Sequence, residues 1–193
     1  MGAVATIDRL RQRLIPTAEA ALLDPPGAIE SAVLVPITML DGELGVVLTR
    51  RRDDMRRHAG EFSFPGGRRD PGEVDLLATA LRETYEEVGI PADRIELLGG
   101  LQPTATIATD FSIHPFVGLV PSGLAFAAAP AEVAEVVEVS LMELVGARRR
   151  ERISRRDVSF TTDVYPLGER VVWGATARIL GDLVDRLTVG PTD

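Results

Sequence analysis

Three glutamates crowd one stripe of a single helical segment. Glu83, Glu86 and Glu87 are spaced i, i+3 and i+4, and at 3.6 residues per turn they fall within an arc of about 100°. Like charges at that spacing repel. A positive partner over the stripe is therefore expected, and a hard divalent cation is the natural candidate. Arg82 stands four residues before Glu86, where it can pair with a carboxylate and fix its rotamer. Gly66 and Gly67 precede the helix and permit close backbone approach with an exposed carbonyl. Carboxylates plus a carbonyl make an oxygen-only donor set suited to Mg²⁺ or Mn²⁺. Such a cation recruits phosphates, polarises phosphoryl oxygens and lowers the pKa of a bound water. A Glu-Glu pair alone on a surface helix is ordinarily just solvated; the glycines, the arginine and a capping Gly89 turn the reading toward a site.

The elements that must position this stripe follow from the pattern around it. A helix is expected from about Glu73–Asp75 to Gly89, with Pro91 beyond it. Leu77, Leu81, Thr84, Tyr85 and Val88 are read as its anchoring face, opposite the glutamates. Upstream, Ser31–Leu40 and Leu44–Thr49 read as a hairpin turned at Asp41-Gly42. Residues 53–65 read as loop with a short strand near Glu61–Phe64. Downstream, Ile95–Leu101, Phe111–Val120 and Glu132–Val139 are strand candidates, and Leu141–Val145 a short helix. Asp157–Thr162 and Val164–Leu167 read as short strands or a hairpin. Residues 5–23 read as one helix, and Val171–Leu187 as a late one. Strands around a central helix, with a second long helix at the end, imply an α/β fold with a mixed sheet sandwiched between helices. Residues 1–28 read as an N-terminal helical extension and 29–190 as the main domain.

Composition narrows the class. The absence of cysteine excludes disulfides, thiolate metal sites and cysteine nucleophiles. All 21 basic residues are arginine, which excludes a Schiff-base or P-loop lysine. A net charge of −8 argues against a nucleic-acid partner. No apolar run is long enough for a membrane span, and the N-terminus lacks a secretory h-region, so a cytoplasmic location is expected. The charge is uneven: Arg50, Arg51, Arg52, Arg56, Arg57, Arg68 and Arg69 precede the acidic helix, and a second arginine run lies at 148–156.

Gly66–Ile90 resembles the Nudix box, a pattern of Gly, five residues, Glu, seven residues, then Arg-Glu-apolar-x-Glu-Glu-x-Gly-apolar. Gly67, Glu73, Arg82, Glu83, Glu86, Glu87, Gly89 and Ile90 match it. Eight residues rather than seven separate Glu73 from Arg82, and Thr84 stands where an apolar residue is usual. Residues 47–70 are similar to the signature that precedes the box in Nudix coenzyme A diphosphatases, through Leu48, Thr49, Arg51, Arg56, His58, Gly60, Phe64, Pro65, Gly66 and Gly67. Arg52 replaces its Ser, Met55 its Leu and Phe62 its Val. His114–Val120, Glu132–Leu141 and Trp173–Leu180 look like that branch too.

The resemblance implies a Nudix-type α/β/α sandwich and metal-dependent hydrolysis of a small nucleoside-diphosphate-linked substrate, coenzyme A or a derivative first among them. It implies Glu86 and Glu87 as principal metal ligands, completed by the carbonyl of Gly67, and Glu83 as a further ligand or the base that deprotonates water. Arg82 would orient the glutamates. Glu132 and Glu135 are alternative bases, because some relatives draw the base from a later loop. Arg51 and Arg56 would hold phosphate through bidentate contacts, or else pair with Asp53 and Asp54. His58 would serve the site or support its loop. A homodimer is implied by the same analogy. Two rivals remain: the same chemistry on ADP-ribose, NADH or a nucleoside triphosphate, and a non-catalytic Nudix domain that senses a nucleotide.

Overall fold

The computed structural model describes residues 3–23, 27, 29–55, 58–106, 110–155 and 158–188. The elements run α1 (Ala3–Arg13), α2 (Thr17–Ala20), β1 (Ile29–Leu40), β2 (Glu43–Arg51), β3 (Phe62–Ser63), β4 (Gly66–Arg68), α3 (Leu76–Val88), β5 (Glu96–Gly100), β6 (Thr104–Ala105), β7 (Phe111–Leu119), β8 (Val133–Ser140), α4 (Leu141–Ala147), β9 (Arg149–Arg155), β10 (Val158–Leu167), β11 (Arg170–Val172) and α5 (Gly174–Thr188).

β1 and β2 form the expected hairpin, with Met39 opposite Leu44. Its two-residue turn needs positive φ at both positions, and Asp41 (49°) and Gly42 (87°) supply it. The two strands pair only from Ile37 to Leu40 on the β1 side. Earlier along β1, Ser31–Val33 take β4 instead, while Thr49 and Arg50 at the end of β2 take β3. The β3–β4 segment thus fills the space where the hairpin splays. On its other edge β1 runs parallel to β7, and the sheet order is β3-β2-β1-β7-β5. Parallel and antiparallel pairs together make the sheet mixed.

Alternation along β1 divides the core. Ala32 and Leu34 face α3, packing with Leu76, Ala80 and Phe116. Val35 and Ile37 face the other way, onto Ala177, Leu180 and Leu183 of α5, Leu144 of α4, Leu10 of α1 and Leu14 just after it. The α/β/α sandwich is therefore present, and the N-terminal segment belongs to its core.

Four elements differ from the sequence reading. The single helix over 5–23 is two helices broken at Pro16, which locks φ and donates no hydrogen bond. Ile15 instead exchanges backbone bonds with Gly100 at 3.0 and 2.8 Å, covering the outer edge of β5. The Gly66–Arg68 turn is a short strand. The second arginine run is β9, paired along its length with one continuous β10. Val171 and Val172 belong to β11, so the last helix starts at Gly174.

Candidate active site

Asp75 caps α3, its Oδ1 accepting from Ala78 N at 2.8 Å, and Gly89 closes it in the left-handed region at φ 74°. The buried positions are Leu76, Thr79, Ala80, Thr84, Glu87 and Val88. The sequence reading placed Tyr85 on the anchoring face, but Tyr85 is 61% exposed. The helix is rolled toward its glutamates, and the two glycines of β4 are the reason. A Cβ on Gly67 would stand 2.3 Å from Glu83 Oε1, and one on Gly66 2.4 Å from the Ala32 carbonyl. At Gly66 the obstacle is backbone and only glycine fits, while at Gly67 the Glu83 carboxylate lies against bare backbone where a Cβ would displace it. Thr84 is accommodated in the core because its hydroxyl donates to the Ala80 carbonyl at 2.7 Å.

Arg82 is the hub of the stripe. Its Nε donates to Glu73 Oε1 at 2.8 Å, and its Nη1 to Glu83 Oε1 at 2.9 Å and Glu86 Oε2 at 3.0 Å. Nη2 reaches the Arg68 carbonyl at 3.3 Å. Glu73 also accepts from Thr79 Oγ1 and from Asp70 N, both at 2.7 Å. Glu73, in the loop ahead of the Asp75 cap, folds back onto the guanidinium. Its signal in the sequence was only the first Glu of the box.

The Arg82 hydrogen bond, against some burial, drives the Glu73 carboxyl down to about 2. A depressed acid contributes stability above its ordinary 4.5 that is lost as pH falls toward about 2. Arg82→Ala is therefore expected to cost roughly 2 kcal/mol, about 5 °C in Tm, and to erase this acid-side loss. Thermal melts of both proteins across that window read the difference; parallel curves would discard the hub.

Beyond Arg82 the stripe turns inward. Glu87 is buried, 6% exposed, with a single long contact from Gly66 N at 3.4 Å. Burial and then the neighbouring Glu83 charge push its carboxyl up to about 7, opposed by Arg51. Burial also raises Glu83, although Arg82 works against it. Glu132 acts on both glutamates through its charge. Arg51 pairs with Glu132 at 3.6 Å, while its Nε is buried and without a hydrogen-bond partner. Two desolvated carboxylates thus lie close to a guanidinium with one unused nitrogen.

The remaining candidates separate by geometry. Glu86 is on the rim, its side chain 55% exposed and held by Arg82. Glu135 faces away, tied to Arg50 at 3.1 Å. Adjacent residues of a strand point to opposite faces, which is why Arg50 and Arg51 part company. His58 Nδ1 lies 2.8 Å from Glu61 Oε2 and supports the loop. Arg56 lies outside the described residues. Gly67 sits opposite Ala32 in the β1–β4 ladder, so its carbonyl offers a ligand through a strand rather than a loose turn. His114 is buried between Ser112 Oγ at 3.3 Å and the Ala20 carbonyl at 3.4 Å.

The donors suit a hard divalent cation. They are oxygens only, and the buried Glu87 carrying a raised pKa is a ligand that a cation would neutralise. Among the described residues no three acidic or histidine side chains converge on one point; Arg82 draws Glu86 outward. A groove of about 320 Å³ lined by Glu30, Arg68, Arg69 and Glu73 adjoins the stripe.

This site and sandwich define a Nudix hydrolase. The NUDIX domain profile matches residues 29–161, and the chain belongs to that family, whose members act on nucleoside diphosphate derivatives and generally use divalent metal ions. It is 38% identical over 161 residues to a Nudix hydrolase named NudL from Photorhabdus laumondii, covering 82% of this chain and 85% of that one. A NudL from Yersinia pestis is 37% identical, covering 82% and 80%. Among solved structures, an Enterococcus faecalis MutT/nudix family protein superposes with TM-score 0.58 at 16% identity, over 97% of this chain and 70% of that one. The Caenorhabditis elegans Ap4A hydrolase superposes at 0.51 and 20% identity, over 62% and 85%. These two support the fold alone. No helix among the described residues is long and apolar enough to cross a membrane.

Proposed function

We propose that the chain hydrolyses the diphosphate of coenzyme A or a derivative, giving 3′,5′-ADP and 4′-phosphopantetheine, with Mg²⁺ or Mn²⁺. The observation that carries this reading is Arg51. It comes from the diphosphatase-like signature, and its buried, unpartnered Nε stands beside Glu87 and Glu132. A substrate phosphate supplies the missing acceptor. Arg52, the departure from that signature, is bound to Asp54 at 2.6 and 2.8 Å and to the Pro130 carbonyl at 2.6 Å. Its guanidinium is thus occupied by Asp54 and Pro130.

Glu87 and Glu83, with the Gly67 carbonyl, would hold the cation, and Glu86 would join from the rim. When bound, the cation polarises phosphoryl oxygens and acidifies water. Glu83 is poised as base, because burial raises its proton affinity while Arg82 keeps it aimed. Arg51 draws the diphosphate against the stripe. Glu132 is the alternative base, now restrained by Arg51.

Incubation with coenzyme A, ADP-ribose, NADH and nucleoside triphosphates, with products separated by chromatography, tests the reading. Release of 4′-phosphopantetheine at the highest kcat/KM is expected. A faster reaction on ADP-ribose or NADH would move the assignment to those substrates.

A further inference from the structure

Glu132 stands where the substrate phosphate is expected. The Nε and Nη2 hydrogens of an arginine form one fork, which takes two oxygens of an anion. Arg52 uses its fork in this way, with Nε and Nη2 on the two oxygens of Asp54 at 2.8 and 2.6 Å. On Arg51 the Nε of the fork is without a hydrogen-bond partner, while Nη2 faces the Glu132 carboxylate at 3.6 Å. The Arg51 and Glu132 side chains are 27% and 53% exposed, so the pair is open to a ligand from solvent. A phosphate that seats on this fork meets a carboxylate already beside it.

The segment that carries Glu132 has few other anchors. Phe126 and Val133 pack at its two ends. Between them, residues 127–132 are exposed except for half-buried Ala129. Hydrogen bonds hold the segment instead. Ala127 N and Ala129 N donate to the Val88 and Glu87 carbonyls at 3.0 and 2.9 Å, satisfying the end of α3. Arg52 holds the other end. Its backbone N donates to the Glu132 carbonyl at 3.0 Å, and its Nη1 to the Pro130 carbonyl at 2.6 Å. The fork on Asp54 aims that guanidinium.

We propose that Glu132 is a gate on Arg51, that Arg52 is the positioning residue which holds the gate closed, and that an incoming phosphate must displace it. The gate rests on the reading of Arg51 as a phosphate ligand, but not on which nucleotide carries the phosphate. A ligand binds only the fraction of molecules in which Arg51 is free, so its apparent dissociation constant rises by the inverse of that fraction. A solvent-accessible ion pair supports a factor of up to about five.

Calorimetric titration with inorganic pyrophosphate, in metal-free buffer at low ionic strength, tests the gate without turnover. Glu132→Gln is expected to bind pyrophosphate about fivefold more tightly than wild type, and Arg52→Ser about twofold more tightly. Removing a positive charge ordinarily weakens anion binding, and so does a damaged fold; a gain in Arg52→Ser therefore reports the released clamp. That gain should vanish in the Glu132→Gln background, because the clamp acts through the carboxylate. Arg51→Gln should lose the binding. Unchanged or weaker binding in Glu132→Gln would overturn the gate, as would undetectable binding in every protein. No gain in Arg52→Ser, or an equal gain in both backgrounds, would overturn the clamp. Melting curves confirm folding; if Arg52→Ser does not fold, Arg52→Gln replaces it with the same expected gain. If coenzyme A is not cleaved but these shifts are found, the diphosphatase reading falls and the gate stands. If 4′-phosphopantetheine is released and the shifts are missing, the gate alone falls.

Discussion

Glu87→Gln is expected to lower kcat/KM by about three orders of magnitude, roughly 4 kcal/mol of transition-state stabilisation. The amide is isosteric, so the Gly66 contact and the packing of α3 survive; what disappears is the charge that a cation needs. Glu83→Gln should cost a similar amount, because Glu83 is aimed by Arg82 and packed on Gly67. Glu86→Gln should cost only about tenfold, since that carboxylate is 55% exposed and its charge is shared with Arg82. The ranking distinguishes this geometry from the sequence pattern, which treats Glu86 and Glu87 as equals. Steady-state rates for the three variants, with circular dichroism to confirm folding, provide the measurement. Near-normal turnover in Glu87→Gln would remove the metal assignment, and equal losses at Glu86 and Glu87 would remove the distinction between rim and floor.

The stripe itself was legible because helical periodicity and charge repulsion are local. So were the Asp41-Gly42 hairpin and the Gly89 cap, each dictated by a residue tolerating positive φ. What was not legible depended on pairing at a distance. Val88 and Tyr85 both read as anchors, yet only Val88 is buried. Which side of α3 meets the sheet was decided by two glycines contributed by β4, and nothing in the helix sequence announces them. The second arginine run carried no element in the sequence reading, but pairing with β10 makes Arg149–Arg155 a strand, and Arg148 just before it is drawn onto Asp163 at 2.7 Å. Glu132 and Glu135 were indistinguishable in sequence. The position of β8 beside β2 sends Glu135 to Arg50 and leaves Glu132 with Arg51.

In the absence of divalent metal, wild-type stability should fall as pH rises from about 4.5 to about 7, the ordinary and raised values for Glu87. The sign follows from linkage. A carboxyl whose folded pKa is raised binds more protons folded than unfolded, so it carries no penalty below 4.5 and the full penalty above about 7. A shift of that size corresponds to about 3 kcal/mol, or roughly 8 °C in Tm for a chain of this length. Burial is the larger cause, and Glu83 adds to it by repulsion. Saturating Mg²⁺ should flatten the slope, because a cation restores what desolvation removed and binds only the folded site. Glu87→Gln separates this from general metal effects. Its metal-free form should be more stable than wild type at neutral pH, insensitive to Mg²⁺, and lacking the slope between those two values. The same substitution that abolishes turnover is thus expected to strengthen the fold, the signature of a charge kept in an unfavourable place for the reaction. Melts with chelator and with Mg²⁺, across the pH window, decide the matter: a metal-free wild type whose Tm is level with pH would show that Glu87 is not strained by burial.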